Sequence, residues 1–377
     1  MNIYLTMSEA MDFKNVQWAE FMFIDIFDIK NGFYNKKPSP SLNGNIPFIG
    51  ATQNNNGITE FYTFNDIESN SKVGYGKNED ISKKIFNGNS IAVTNNGSVG
   101  FAYYQKTEFT CSHDVNPLYL KNYELNEYIA KFLISAIEMQ RVCFEYARKW
   151  RPKRMVKSKI LLPINEKGEP NYPYMEEFIR TKELQTLDKI TKYINKRIKQ
   201  VSNYNEVEQL KDKVWGEFFI EDVSKIISGR DIYEAERENG DIPYVSATAN
   251  NNGIGYFVGN KNETLEENCL SVNRNGSVGY SFYHQYKALF SNDCRKLRLE
   301  NKSPFVGKFI ARIITEQKDK YGYGYKMGTG RIKRQKILLP INKKGQPDYS
   351  YMEDYIKKIE YKKLTTYLEK IKTNITG

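Results

Sequence analysis

The sequence predicts two tandem mixed α/β domains separated by long α-helices that pack antiparallel as a coiled-coil-like spacer. Three observations predict it. Four segments recur in the same order in the two halves of the chain. Short alternating apolar runs, punctuated by Gly and Asn, fill the body of each half. A long amphipathic segment with near-heptad spacing closes each half.

The recurrence comes first because it sets the frame for everything else. "WAEFMFIDIFDIKNG" at Trp18–Gly32 returns as "WGEFFIEDVSKIISG" at Trp215–Gly229. "IPFIGATQNNNGI" at Ile46–Ile58 returns as "IPYVSATANNNGI" at Ile242–Ile254, with nine of thirteen positions identical. "NNGSVGFAYY" at Asn95–Tyr104 returns as "RNGSVGYSFY" at Arg274–Tyr283. "ILLPINEKGEPNYPYMEEFI" at Ile160–Ile179 returns as "ILLPINKKGQPDYSYMEDYI" at Ile337–Ile356, with fourteen of twenty identical. A period this long excludes a solenoid and reads as a tandem duplication. The offset falls from 196 to 177 along the copies, so the first carries extra residues, mostly between Thr59 and Ser90.

Within each body, "SIAVT", "GFAYY" and "CLSVN" alternate as strands do. The glycines Gly57/Gly253 and Gly97/Gly276 are shared and mark turns that need positive φ. The runs Asn54–Asn56 and Asn250–Asn252 read as structural Asn-Gly turns, with base contact as the alternative. Helical spacing covers Asn126–Ala147, and its counterpart is roughly Pro304–Thr315. In the first tail Leu187, Ile194 and Val201 are seven apart, with Ile190 and Ile198 between them. Pro170 and Pro173 stand where proline can start a helix. In the second tail Ile356, Ile359, Leu368, Ile371 and Ile375 form a similar stripe. Each stripe alone would expose an apolar seam, so the two are expected to pack on each other. From Tyr174 to Val201 the helix would span roughly 42 Å, close to one turn of B-DNA at roughly 34–36 Å.

Composition limits the partners. A chain of 377 residues with 40% hydrophobic content can build two or three cored domains. Cys111, Cys143, Cys269 and Cys294 form no CxxC pair and read as reduced thiols of a cytoplasmic protein. The first residues, "MNIYLTMSEAMDFKN", do not read as a secretory signal. No apolar run is long enough to span a membrane. The net charge of +11 suits an anionic partner, nucleic acid first. An excess of Lys from AT-rich coding is the bland alternative.

The sequence resembles the specificity subunits of Type I restriction–modification systems. The resemblance covers essentially the whole chain. It rests on the Trp-x-Glu-Phe start of each half, the Ala-Thr-x-Asn-Asn-Asn-Gly turn, the Asn-Gly-Ser-Val-Gly turn and the "LPI" strand leading into a helix, in that order. It implies residues 1–165 as a first target-recognition domain and 172–211 as a central spacer helix. Residues 212–342 would then be a second target-recognition domain and 350–377 a C-terminal spacer helix. It implies a non-catalytic subunit that gives methyltransferase subunits, two in number, a bipartite double-stranded DNA target. Restriction subunits would join through them, and the chain itself would need no cofactor or metal. The second tail is short for a full-length member.

The duplication sorts candidate contacts, since shared charges suit phosphate and divergent ones suit bases. The basic segments Glu145–Lys159 and Gly322–Lys336 stand before the "ILLPIN" strands. Lys149 matches Lys326, Arg154 matches Arg331, and Lys159 matches Lys336. These are candidate phosphate contacts. Arg151 and Lys153 fall opposite Gly328 and Gly330. Arg151 is a candidate guanine reader, because Arg can pair with O6 and N7 together. Lys333, Arg334 and Arg274 complete the candidate DNA-binding set, with a solvated basic loop as the alternative reading.

Catalytic signals are thin. His113, beside Cys111 and Asp114, lacks further ligands at metal spacing and reads as a satisfied local histidine. "NPLY" at Asn116–Tyr119 is similar to an amino-methyltransferase loop but lacks its second proline and any Gly-rich companion. Asp348 with Glu360–Lys362 has the outline of a nuclease set, yet lies on the amphipathic tail, whose repeat has no such set. The alternatives to a DNA-reading subunit are a nuclease or methyltransferase with an unrecognised site, or an antirestriction decoy.

Overall fold

The computed structural model describes residues 16–76, 78–144, 148–322 and 324–376, without the side chains of 372 and 374–376. It divides into two units, Met1–Asp188 and Lys189–Gly377.

The first unit opens with β1 (Trp18–Met22), the one-turn α1 (Phe23–Ile26) and β2 (Phe27–Ile29). Next come β3 (Ile46–Ile49), β4 (Ile58–Tyr62), α2 (Phe64–Ser69), β5 (Ser90–Thr94), β6 (Ala102–Gln105), β7 (Thr110–Cys111) and β8 (Val115–Leu120). It closes with α3 (Glu127–Glu138), α4 (Pro152–Met155), β9 (Lys159–Pro163) and the start of α5 (Tyr172–Val201). Three small sheets result. β1 pairs antiparallel with β9, four strands run in the order β2-β8-β5-β6, and three run β4-β3-β7. Phe23, Phe27, Ile91, Leu118, Leu133 and Trp150 are fully buried in the main core between the four-stranded sheet and α3.

The second unit repeats this plan. Its strands are β10 (Trp215–Phe219), β11 (Ser224–Ser228), β12 (Ile242–Val245), β13 (Ile254–Val258), β14 (Cys269–Asn273), β15 (Ser281–His284), β16 (Leu289–Phe290), β17 (Cys294–Leu299) and β18 (Lys336–Pro340). Its helices after α5 are α6 (Ile220–Val223), α7 (Pro304–Thr315), α8 (Thr329–Arg334) and α9 (Tyr349–Thr376). The sheets are β10-β18, β11-β17-β14-β15 and β13-β12-β16, matching the first unit strand for strand.

The long helices are docked by the same pairs in each unit. Trp18 stacks on Phe132 of α3, and Phe132 meets Phe178 of α5 edge-on. Trp215 stacks on Phe309 of α7, and Phe309 meets Tyr355 of α9 edge-on. Lys131 pairs with Glu183 at 3.5 Å, and Lys308 with Glu360 at 3.1 Å. Asn171 and Asp348 cap the two long helices, each accepting the N–H three residues on at 3.1 Å. Asp348 is therefore a capping residue, which accounts for it without nuclease chemistry.

Two elements differ from the sequence expectation. The helix expected over Asn126–Ala147 is α3 alone, followed by a 3-10 turn over Met139–Cys143, with residues 145–147 outside the described set. Arg141 turns back in that segment, its guanidinium 3.5 Å from the centre of the Phe101 ring. The central helix ends at Val201, and residues 203–209 continue without regular structure. Within the second unit this continuation still runs along α9. Asn205 donates to Asp354 at 3.0 Å, the Tyr351 hydroxyl to the Glu208 carbonyl at 3.0 Å, and Lys213 to Asp348 at 3.0 Å. Partners fall in number as these residues rise, so the course is antiparallel.

The seam residues are covered unevenly. Ile194, Val201 and Ile371 are buried, whereas Leu187, Ile190, Ile198, Ile356, Ile359 and Leu368 are half-buried. Ile356 packs against the core of the second unit. The side chain of Ile375 lies outside the described set.

Candidate nucleic-acid interface

The shared turns form the frame of each unit. Asn55, Asn56 and Gly57, and likewise Asn251, Asn252 and Gly253, adopt positive φ, which Asn and Gly tolerate best. The Asn56 amide donates to the Tyr104 carbonyl, and the Asn252 amide to the Tyr283 carbonyl, each at 3.2 Å. A Cβ at Gly57 would sit 2.7 Å from the Tyr103 ring, and one at Gly253 3.0 Å from the Phe282 ring. These asparagines thus tie the turn to the neighbouring strand, as a structural turn requires. The second shared turn closes beneath the first, because a Cβ at Gly276 would meet the Ala247 carbonyl at 2.5 Å.

The basic segments hang on buried anchors. Trp150 and Met327, at matching positions, are both fully buried. Trp150 packs on Phe23 and Phe144, its backbone N–H donates to the Asn95 carbonyl at 3.1 Å, and its indole N–H donates to the Ser158 hydroxyl at 2.8 Å. The anchors hold α4 and α8 at the surface. Arg154 donates to the Lys149 carbonyl at 2.7 Å, and Arg331 to the Lys326 carbonyl at 2.6 Å. Arg331 also covers the Tyr325 ring at 4.0 Å. Lys159 pairs with Glu20 and Lys336 with Glu217, both at 2.7 Å across the β1–β9 and β10–β18 pairs. Four of the eight shared charges, Lys157 and Arg334 being the fourth pair, therefore make the same local contacts in both units, which gives their recurrence a framework cause.

The divergent charges are placed differently. Arg151 lies 3.4 Å from Asp114, which also accepts from Asn96 at 3.0 Å and lies 3.3 Å from His113. Lys153 is exposed on α4. In the second unit Lys333, opposite Val156, lies 3.8 Å from Glu221, whereas Arg334, exposed beside Gly330, stands opposite Lys157 and so is another shared charge. Arg274 sits in the second Asn-Gly-Ser-Val-Gly turn, and its Nε is buried without a partner among the described residues. Its charge acts on Arg295, whose guanidinium burial, and then Arg274, pull below its ordinary pKa. Arg295 donates to Thr329 of α8 at 2.6 Å. Arg295, which bonds α8 and feels the charge of Arg274, is a residue concealed from sequence reading by its place in the strand run "CRKLRL".

No comparable constellation supports chemistry. Among the described residues, no group of three His, Cys, Asp or Glu side chains could hold a metal. His284 is fully buried, its Nε2 2.9 Å from the Ser271 hydroxyl. Cys111, Cys269 and Cys294 are buried free thiols whose ionisation burial pushes upward, Cys269 and Cys294 to about 12. No described helix is long and apolar enough to cross a membrane.

Residues 15–199 and 212–372 each match the model of the Type I restriction modification DNA specificity domain. The chain belongs to that family. A specificity subunit carries the DNA recognition of a restriction–modification system and is not its catalytic member. Membership also implies assembly with DNA and with methyltransferase subunits. The chain is 33% identical to the Type II restriction enzyme BgcI specificity subunit S.BcgI of Heyndrickxia coagulans, over 94% of this chain and 98% of that one. It is 25% identical to S.MpnORF507P of Mycoplasma pneumoniae, named as a type I specificity subunit, over 70% of this chain and 69% of that one. The crystal structure of a Type I system S subunit from M. genitalium matches in fold with a TM-score of 0.56 at 17% identity, covering 95% of this chain and 93% of that chain.

Proposed function

We propose that this specificity subunit reads a split double-stranded DNA target, one short block per α/β unit. Residues 1–165 and 212–342 act as the two target-recognition domains. Residues 172–211 and 350–377 act as spacer and as the platform for two methyltransferase subunits, through which restriction subunits join. Cofactor binding and catalysis belong to those partners, and the complex works in the cytoplasm. The observation that carries this reading is the pairing of one repeated frame with two different basic segments. Arg151, just before α4, and Lys153 within it face no charged counterpart at Gly328 and Gly330. A repeated frame with divergent charge suits two readers of different sequences. Lys149, Lys153, Arg154 and Lys159 in the first unit, with Lys326, Arg331, Lys333, Arg334 and Lys336 in the second, supply phosphate attraction. Arg151 and Arg274 are the candidate base readers.

Exchange of residues 15–165 for the first domain of another family member tests this. The methylated sequence should change in one block and keep the other block. A change in both blocks, or in neither, overturns the modular reading.

A further inference from the structure

The first unit carries a projection that the second lacks. β4 and β5 are joined by residues 63–89, whereas β13 and β14 are joined by residues 259–268. The longer connection is built rather than slack. Thr63 and Asp66 form a reciprocal capping box at the start of α2. Lys84, fully buried, donates to the carbonyls of Ile67, Glu68 and Asn70 and to the Asn78 side chain, at 2.5–3.2 Å. One ammonium thus ties the end of α2 to Asn70 and Asn78.

At the tip of that loop stands Tyr75. Its carbonyl accepts from the Ser71 hydroxyl at 2.5 Å, while its side chain is 76% exposed. Gly74 and Gly76 on either side have φ of 84°. A Cβ at Gly76 would meet nothing within 4 Å, and one at Gly74 only Lys36, at 3.7 Å. A large exposed aromatic adds nothing to the core, yet it is a side chain that carries contact energy at interfaces.

The loop itself carries both signs of charge, Lys72 among Glu68, Glu79 and Asp80, and backbone bonds lead from Lys72 toward Arg151. The N–H groups of Asn35 and Lys36 donate to the Lys72 carbonyl at 3.0 and 3.3 Å. His113 donates its N–H to the Tyr34 carbonyl at 2.8 Å and stands beside Asp114, which Arg151 approaches. The neighbouring carboxylates are engaged, Asp114 by Asn96 and Arg151, and Glu79 by the Lys72 N–H at 3.2 Å. The second copy keeps the carboxylate contact, Asn275 donating to Asp293 as Asn96 does to Asp114, but not the projection or its charges. The stretch after Gly229 there reads "RDIYEAERE", acidic where the first has Lys36 and Lys37, and Asn292 stands in place of His113.

Resting on the DNA-reading function, we propose that Lys36, Tyr75 and His113 form with Arg151 a reading surface of the first unit alone. Lys36 holds a phosphate. Tyr75 enters a groove and contacts bases in one half of the target, beyond the reach of the repeated frame.

The test uses the full chain bound to its methyltransferase subunits, with duplexes substituted position by position in either block. Tyr75→Ala should weaken binding to the intact target about tenfold and flatten base preference in one block only. Lys36→Ala should lower the slope of log K against log[salt] by about one. Lys84→Met, which unclamps the loop, should reproduce the one-block loss. Wild-type affinity and base preference in Tyr75→Ala and Lys36→Ala would overturn the proposal. If Arg151→Ala still altered one block, the DNA-reading function would survive that failure. If Arg151→Ala changed nothing either, that function would fall with it. Release of the methyltransferase from Tyr75→Ala with unchanged base preference would make the loop a protein contact, and would overturn the proposal as well.

Discussion

Arg154 and Arg331 show how a repeated charge can belong to the frame. Each donates to a carbonyl five residues back, at 2.7 and 2.6 Å, and so closes its own loop. Sequence comparison of the copies found these positions but could not separate phosphate contact from loop closure, because both predict a shared arginine. The asparagine turns were legible for the opposite reason: positive φ at Asn-Asn-Gly is a local backbone demand, written in residue type. His284 yields a test at this scale. Burial drives its pKa down to about 4 from the ordinary 6.5. The folded state therefore holds this ring neutral while the unfolded state binds a proton between those values. Stability is complete above pH 6.5 and falls as pH drops toward 4, by an amount on the order of 3 kcal/mol for this group. His284→Gln should flatten that part of the curve in thermal unfolding between pH 4 and 7. An unchanged slope would show that His284 is not the titrating group.

Among the elements, the long helices were the most legible. Seven-residue spacing of apolar side chains is a direct image of helix packing, and Ile194, Val201 and Ile371 are buried as that spacing requires. The ends were less so. The helix ends at Val201, and the chain beyond follows α9 through side-chain bonds that no periodicity encodes. Glu360 illustrates this. Burial pushes its carboxyl up, but bonds from Arg197 and Lys308 outweigh that and hold it below the usual range. Neither partner could be assigned from spacing, since Arg197 and Lys308 lie far from it in sequence. Ile194→Asp would place a carboxylate at a position 3% exposed. It should cost about 3 kcal/mol or more and weaken methyltransferase binding, read by thermal unfolding and co-purification. Full assembly and methylation in that variant would remove the helices from the spacer role.

For the whole molecule, the duplication carries the account. It was visible in the sequence because both copies keep the same strands, turns and helix-docking pairs, down to Lys131–Glu183 and Lys308–Glu360. What the copies do not share was legible only as absence of a match, and its geometry, including the Tyr75 loop and the Arg295–Thr329 bond, needed the fold. The central claim is that two units read two separated blocks of one duplex. A base-resolution methylome of cells with and without the gene, its methyltransferase partner present in both, tests this most directly. The account predicts loss of one split motif, two short blocks at a fixed gap. Loss of a single continuous motif, or an unchanged methylome with the partner active, would contradict it.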